Sequence, residues 1–78
     1  MITHMTRGSI ELEVRGRKVT VSGEAFLPGH GSPDFVAYGD LLTAWDDGEA
    51  LSEADRQAVL DDLRESAQAR GITVEIEE

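Results

Sequence analysis

Cysteine is absent from the 78 residues, so neither a disulfide framework nor a thiolate metal site can support the fold. Aromatic residues are scarce: Phe26, Phe35, Tyr38 and Trp45 are the only ones, which leaves the core to be built mainly from Ile, Leu and Val. No apolar run approaches the ~20 residues that a bilayer crossing needs, and no charged-then-apolar leader is evident. The expectation is a soluble, cytoplasmic chain with no membrane contact. Basic side chains are the last deficit, with seven Lys and Arg against sixteen Asp and Glu and a net charge of −9. A domain so charged repels a phosphate polymer, which argues against direct nucleic-acid binding.

The charge is unevenly spread. Three acidic and four basic residues precede Asp34, whereas thirteen acidic residues and only Arg56, Arg64 and Arg70 follow from there on. A chain of this length fits a single α+β domain over residues 1–78 and removes only roughly 60% of its unfolded surface from water. Residues 1–8, which include Met5 as a second potential start, are expected to be disordered or a cloning remnant, and His4 is placed in a frayed terminus.

Residues 10–27 carry the clearest local signal. Ile10, Leu12 and Val14 alternate with Glu11, Glu13 and Arg15, and Val19 and Val21 with Lys18, Thr20 and Ser22; a period of two means strand. A two-residue loop at Gly16-Arg17 would set Val14 opposite Val19 and Leu12 opposite Val21, with every apolar side chain on one face. Arg15, Arg17 and Lys18 then gather at the tip. Residues 28–33, with two prolines and two glycines, read as a loop that contains His30. The stretch 34–45 fits a helical stripe of Phe35, Tyr38, Leu42 and Trp45, but equally a strand running into the turn Asp46-Asp47-Gly48. Gly39 would cost a helix about 1 kcal/mol relative to Ala, so a third strand is expected.

Ser52 is a good N-cap, Glu53 and Asp55 sit where the helix dipole favours anions, and Gly71 closes the pattern. A helix is therefore predicted over residues 53–70, burying Val59, Leu60, Leu63 and Ala67, with Ala54 and Ala58 beside them. Ile72, Val74 and Ile76 alternate with Thr73, Glu75 and Glu77 as a final strand. The predicted fold is a small antiparallel sheet of three to four strands with one helix packed across it, in the order β-β-(β)-α-β.

Chemistry-bearing motifs are missing. Two histidines without a third defined ligand do not make a zinc site. Asp46-Asp47-Gly48-Glu49 fails the calcium-loop spacing because Ala54, not a glutamate, stands six residues past the glycine. Gly29 and Gly31 lack the Gly-Lys-Ser/Thr continuation of a phosphate loop, and no nucleophile elbow surrounds a serine. The expectation is a protein without catalytic residues, metal or cofactor. What remains is the acidic half. It is either a solvated outer face that keeps a small domain soluble, or rows of carboxylates, Asp46, Asp47 and Glu49 with Asp61, Asp62 and Glu65 and also Glu75 and Glu77, presented to a basic groove on another protein.

The hairpin Ile10-Glu11-Leu12-Glu13-Val14-Arg15-Gly16-Arg17-Lys18-Val19-Thr20-Val21, the segment Trp45-Asp46-Asp47-Gly48-Glu49-Ala50-Leu51-Ser52 and the acidic capped helix resemble, over about 65 residues, small proteins of phages and prophages. In size, charge and lack of catalytic residues the chain is similar to the anti-CRISPR inhibitors of type I surveillance complexes. The resemblance implies binding to Cascade, the basic complex that grips guide RNA and target DNA, and prevention of target-DNA capture. It carries no residue over by position. On this reading Asp46, Asp47, Glu49, Asp61, Asp62 and Glu65 face a basic host complex, with Trp45 and Tyr38 either anchors, where partly exposed, or plain core. The alternative is a homodimeric assembly module whose exposed edge at 72–77 pairs with its own copy. A small hydrolase or metal protein is the third class considered.

Overall fold

The structure, a computed structural model, describes residues 1–27 and 31–78. Five strands form one sheet in chain order: β1 (Ile2–Met5), β2 (Ser9–Val14), β3 (Arg17–Ala25), β4 (Phe35–Tyr38) and β5 (Val74–Glu77). The first four pair antiparallel, and β5 joins β4 in parallel. A single α-helix, α1 (Glu53–Ala69), lies across one face. This corrects the expected antiparallel sheet of three to four strands to a five-stranded mixed one. The α+β class and the single helix stand.

The two additions have different origins. Strand β1 falls within residues 1–8, where disorder was expected. Its Ile2 is 1% exposed beneath the helix, and its backbone is held along β2, with Ile2 opposite Leu12 and Met5 opposite Ile10. His4 therefore stands on a strand, opposite Glu11. The parallel pairing of β5 follows from the helix, because a chain that leaves β4 at one end of the sheet can return in parallel only by a crossover, which α1 supplies.

The β2–β3 turn is Arg15-Gly16 rather than Gly16-Arg17. Both residues have positive φ, 52° and 78°, as the tight hairpin turn that matches strand twist requires. Register moves by two residues, so Leu12 meets Val19 and Ile10 meets Val21. A two-residue shift leaves the faces unchanged, and the apolar side survives intact. It also sets Glu13 opposite Lys18, an opposite-charge cross-strand pair that the other register lacks.

The stretch 34–45 divides. Phe35–Tyr38 is strand, a 3-10 turn follows over Gly39–Leu41, and the chain then extends to a turn closed by the Ala44–Ala50 bridge. Gly23 on β3 makes room for β4. It lies opposite Ala37, and a Cβ there would come within 2.7 Å of Phe35 Cζ and closer still to the Val36 carbonyl oxygen.

Ser52 caps α1 through a reciprocal capping box, its hydroxyl accepting from the Asp55 amide at 3.0 Å while Asp55 accepts from the Ser52 amide at 3.3 Å. The helix buries Val59, Leu60, Leu63 and Ala67 against Ile2, Ile10, Leu12, Val14, Val19, Val21, Phe35 and Ala37. Each large apolar side chain so buried contributes roughly 1.5–3 kcal/mol. The helix ends at Ala69, with Arg70 as its C-cap, one residue earlier than the sequence pattern suggests. Of the loop expected at 28–33, Pro28, Gly29 and His30 lie outside the described residues.

Candidate protein-binding surface

With one helix on one side, the sheet has a covered face and an open face. Strand periodicity assigns side chains between them. On the open side β2 presents Glu11 and Glu13, β3 presents Lys18, Thr20, Ser22 and Glu24, β4 presents Val36 and Tyr38, and β5 presents Glu75 and Glu77. The register aligns these into rows: Glu24 beside Val36 beside Glu75, Tyr38 beside Glu77, Glu11 beside Thr20, and Glu13 beside Lys18. Tyr38 is half-buried, and its hydroxyl donates to Glu24 at 3.2 Å. That bond, with burial adding to it, raises the Tyr38 pKa and keeps the phenol a fixed donor.

The six carboxylates expected to face a partner are divided between two places. Asp46, Asp47 and Glu49 share the turn after Trp45. That turn is sewn to β3 by the Asp46 amide on the Lys18 carbonyl (3.0 Å) and by Thr20 Oγ1 on Asp46 (2.9 Å). Arg17 forks between Asp47 (3.2 Å) and Glu49 (3.4 Å), with its guanidinium 4.3 Å above the Trp45 ring centre. The Glu49 amide, reinforced by Arg17, holds the Asp47 carboxyl below its ordinary value. For Arg17, partial burial is outweighed by the bonds to Asp47 and Glu49, and its pKa rises. An open cleft of about 420 Å³ lies here, lined by Gly16, Arg17, Lys18, Asp46 and Asp47.

Asp61, Asp62 and Glu65 lie on α1. Asp61 pairs with Arg64 (3.5 Å) and accepts from Gln57 (3.0 Å), while Asp62 accepts from Ser66 and from the terminal ammonium of Met1. Glu65 is exposed. Among the described residues no hydrogen bond or ion pair joins this set to the turn. The other basic groups of the acidic half are also engaged: Arg56 with Glu53, Glu78 and the Gly39 carbonyl, and Arg70 with the Ile2 carbonyl. Trp45, 3% exposed, is core rather than an anchor at the surface. Its indole N–H contributes to keeping the Asp55 carboxyl charged, yet it meets no acceptor in hydrogen-bond geometry.

The helix and turn carboxylates are thus mostly neutralised within the chain, and the open face is not. Among the described residues none of Glu11, Glu13, Glu24, Glu75 and Glu77 lies within ion-pair distance of a cation. Sequence reasoning reached Glu75 and Glu77 but passed over Glu11, Glu13 and Glu24, although their period of two, the same pattern that marked the hairpin, carried the signal. Large apolar side chains are exposed at Met1, Phe26, Leu27 and Leu41, and Phe26 and Leu27 line a second cleft of about 340 Å³ with Arg7 and Ala25.

Among the described residues no group of three or more His, Asp or Glu side chains is placed to hold a metal ion, no charged side chain is buried, and no helix is long and apolar enough to cross a membrane. A one-layer sheet backed by a single helix leaves a charged face uncovered among the described residues. The family model of immunity protein 74 matches residues 2–77, and the chain belongs to that family. Immunity proteins are inhibitors that act by binding a partner protein, a toxin. No curated protein and no solved structure matches the chain.

Proposed function

We propose that this chain neutralises a protein toxin by binding alone, without catalysis of its own, and that it covers a basic surface with which the toxin engages nucleic-acid phosphates. The observation that carries the reading is membership of an immunity family over residues 2–77, joined to a net charge of −9. A strongly acidic inhibitor approaches a basic site faster through long-range attraction, and once docked it excludes the polyanion by occupying the same field. The test is co-expression with any toxin encoded in the genes that flank its own, scored by host growth and by capture of the purified toxin at low and at high salt. Protection with salt-sensitive capture supports the reading. Protection with salt-insensitive capture removes its electrostatic part, and absence of protection removes it altogether.

The narrower expectation of an anti-CRISPR protein that binds Cascade rests on likeness of size and charge, and the family description speaks of immunity rather than of Cascade. Purified Cascade serves as the second probe in the same capture assay. The homodimeric assembly module has one specific observation in its favour, the position of β5 at the edge of the sheet. Light scattering at low concentration distinguishes it, since a dimer that leaves the toxin unbound would favour assembly.

A further inference from the structure

Taking toxin neutralisation as the premise, the inference concerns which surface performs it. We propose that the partner docks on the open face of the sheet, with Tyr38 and Val36 at the centre and Glu24, Glu75, Glu77 and Glu11 around them, and that it meets this face with a surface rich in arginine and lysine. The carboxylates of α1 and of the turn after Trp45 stay outside the contact.

Three independent features converge on this face. The first is cover: α1 packs on the opposite side, chiefly over β1 and β2, and among the described residues only the turn after Trp45, through the hydrogen bond from Thr20 to Asp46, reaches the margin of the open side. The second is charge. Six of the eleven carboxylates elsewhere have an arginine partner, Asp47 and Glu49 in Arg17, Asp55 in Arg15, Asp61 in Arg64, and Glu53 and Glu78 in Arg56, while among the described residues Asp34, Asp40, Asp46 and Glu65 pair with no cation. An external cation offered to any of the six must displace an arginine already in place. Among the described residues the open-face carboxylates have no ion-pair partner, with Lys18 standing opposite Glu13 and His4 opposite Glu11.

The third feature is an apolar centre held on paired strands. Val36 is flanked on neighbouring strands by Glu24 and Glu75, and Tyr38 by Glu77. An arginine laid across this face can therefore place its stem on Val36 or on the phenol ring while its guanidinium reaches a carboxylate on either side. Tyrosine is favoured at the centre of protein contacts because it offers area at low entropic cost. Here its hydroxyl is already oriented by Glu24. Sites held on strands are also positioned more accurately than sites on loops.

Two measurements test the proposal. In the first, hexa-arginine peptide is titrated into the isotopically labelled protein and amide shifts are followed by NMR. Shifts concentrated at Glu11, Glu24, Val36, Tyr38, Glu75 and Glu77, and abolished on raising salt from roughly 0.05 M to roughly 0.5 M, support it; shifts concentrated in α1 or in the turn at 46–49 overturn it. In the second, the double variant Glu24→Lys/Glu75→Lys is compared with Asp61→Lys/Glu65→Lys for binding to the toxin used in the co-expression assay. The proposal expects the sheet variant to bind about tenfold or more weakly with an unchanged circular dichroism spectrum, and the helix variant to bind as the wild type does. Loss on the helix side alone, or loss on substitution of Phe26 and Leu27 by serine with the sheet variant still active, overturns it. Should the sheet variant unfold, Glu24→Gln/Glu75→Gln replaces it with the same expected order. If the wild-type protein gives no protection against that toxin, the functional premise fails, while the peptide map still decides the surface.

Discussion

Replacing Gly23 with alanine should be among the most damaging single-atom additions to this fold. Gly23 faces the covered side of the sheet opposite Ala37, and the ring of Phe35, the largest fully buried side chain, lies against its backbone. An added Cβ would stand 2.7 Å from Phe35 Cζ, nearer to Phe35 Cε1 and nearest to the Val36 carbonyl oxygen, against the 3.4–4 Å of ordinary contact. A side-chain tip could turn away, but a carbonyl in a ladder cannot, so β3 and β4 would have to part by on the order of 1 Å, a fifth of the ~4.8 Å strand spacing. The β3–β4 ladder is only three residue pairs long. Losing one or two of its hydrogen bonds costs about 1 kcal/mol each, and overpacking the ring adds about 1–3 kcal/mol. A total near 3 kcal/mol should lower the melting temperature of a domain this size by roughly 12–24 °C, read by far-ultraviolet circular dichroism. Gly8→Ala is the control, since a Cβ there meets nothing within 4 Å. A Gly23→Ala melting point within a few degrees of the Gly8→Ala one would show that β4 yields freely, and the close-approach argument would fail.

Ser52→Ala removes the hydroxyl half of the capping box and should cost about 1 kcal/mol, seen as a lower denaturation midpoint; no change would mean that packing alone holds the first turn. Arg17→Ala strips the cation from the Trp45 ring, so tryptophan emission should shift to the red as water reaches an indole that is otherwise 3% exposed, and an unshifted spectrum would show that Arg17 is not its lid. The Asp55 carboxyl is held below its unfolded-chain value of 3.8, first by the Ser52 amide and also by Arg15. Its stabilisation is thus complete above that value and is lost as pH falls through it toward the folded value. Asp55→Asn should accordingly flatten the loss of stability below about pH 4, and an acid limb as steep as the wild type's would assign that loss to other carboxylates. Added salt should raise the melting point of the free protein while weakening its complex, because the first effect screens repulsion on the open face and the second screens attraction across the interface; movement of both in one direction would contradict that picture.

What the sequence reveals and what it hides divide along the range of the interactions involved. The helix is legible because its cap, its first-turn acids and its stripe of Val59, Leu60, Leu63 and Ala67 are all local. The hairpin faces are legible for the same reason. The exact turn is not, because placing Arg15 at positive φ violates a residue preference in exchange for strand twist and the Glu13–Lys18 pair. Strand β1 is hidden, since Ile2-Thr3-His4-Met5 carries no period of its own and is strand only because β2 offers an edge. The parallel alignment of Val36 with Glu75 and Tyr38 with Glu77 is likewise hidden, for it joins segments almost forty residues apart.

That last alignment decides where the usable charge lies. Counted along the chain, the acidic half looks like one feature, and the helix looks like its centre because Asp61, Asp62 and Glu65 are nearest neighbours there. Folding reverses the order of importance. A helix surface brings residues three and four apart together, so Asp61 finds Arg64 and Gln57, and Asp62 finds Ser66, on the same helix, and of the three only Glu65 is left without such a partner among the described residues. A strand sends every second residue to the same side, and the cross-strand neighbours of Glu24 and Glu75 are Val36 on β4 rather than a cation. Two strand spacings, about 10 Å, separate those carboxylates, roughly one Debye length at 0.1 M salt. Their mutual repulsion is therefore small enough for the free protein to tolerate, while each remains open to a cation from outside. The single helix completes the logic: by covering only one side of the sheet it leaves the other, where the unneutralised charge and Tyr38 are assembled, as the face a basic partner can reach.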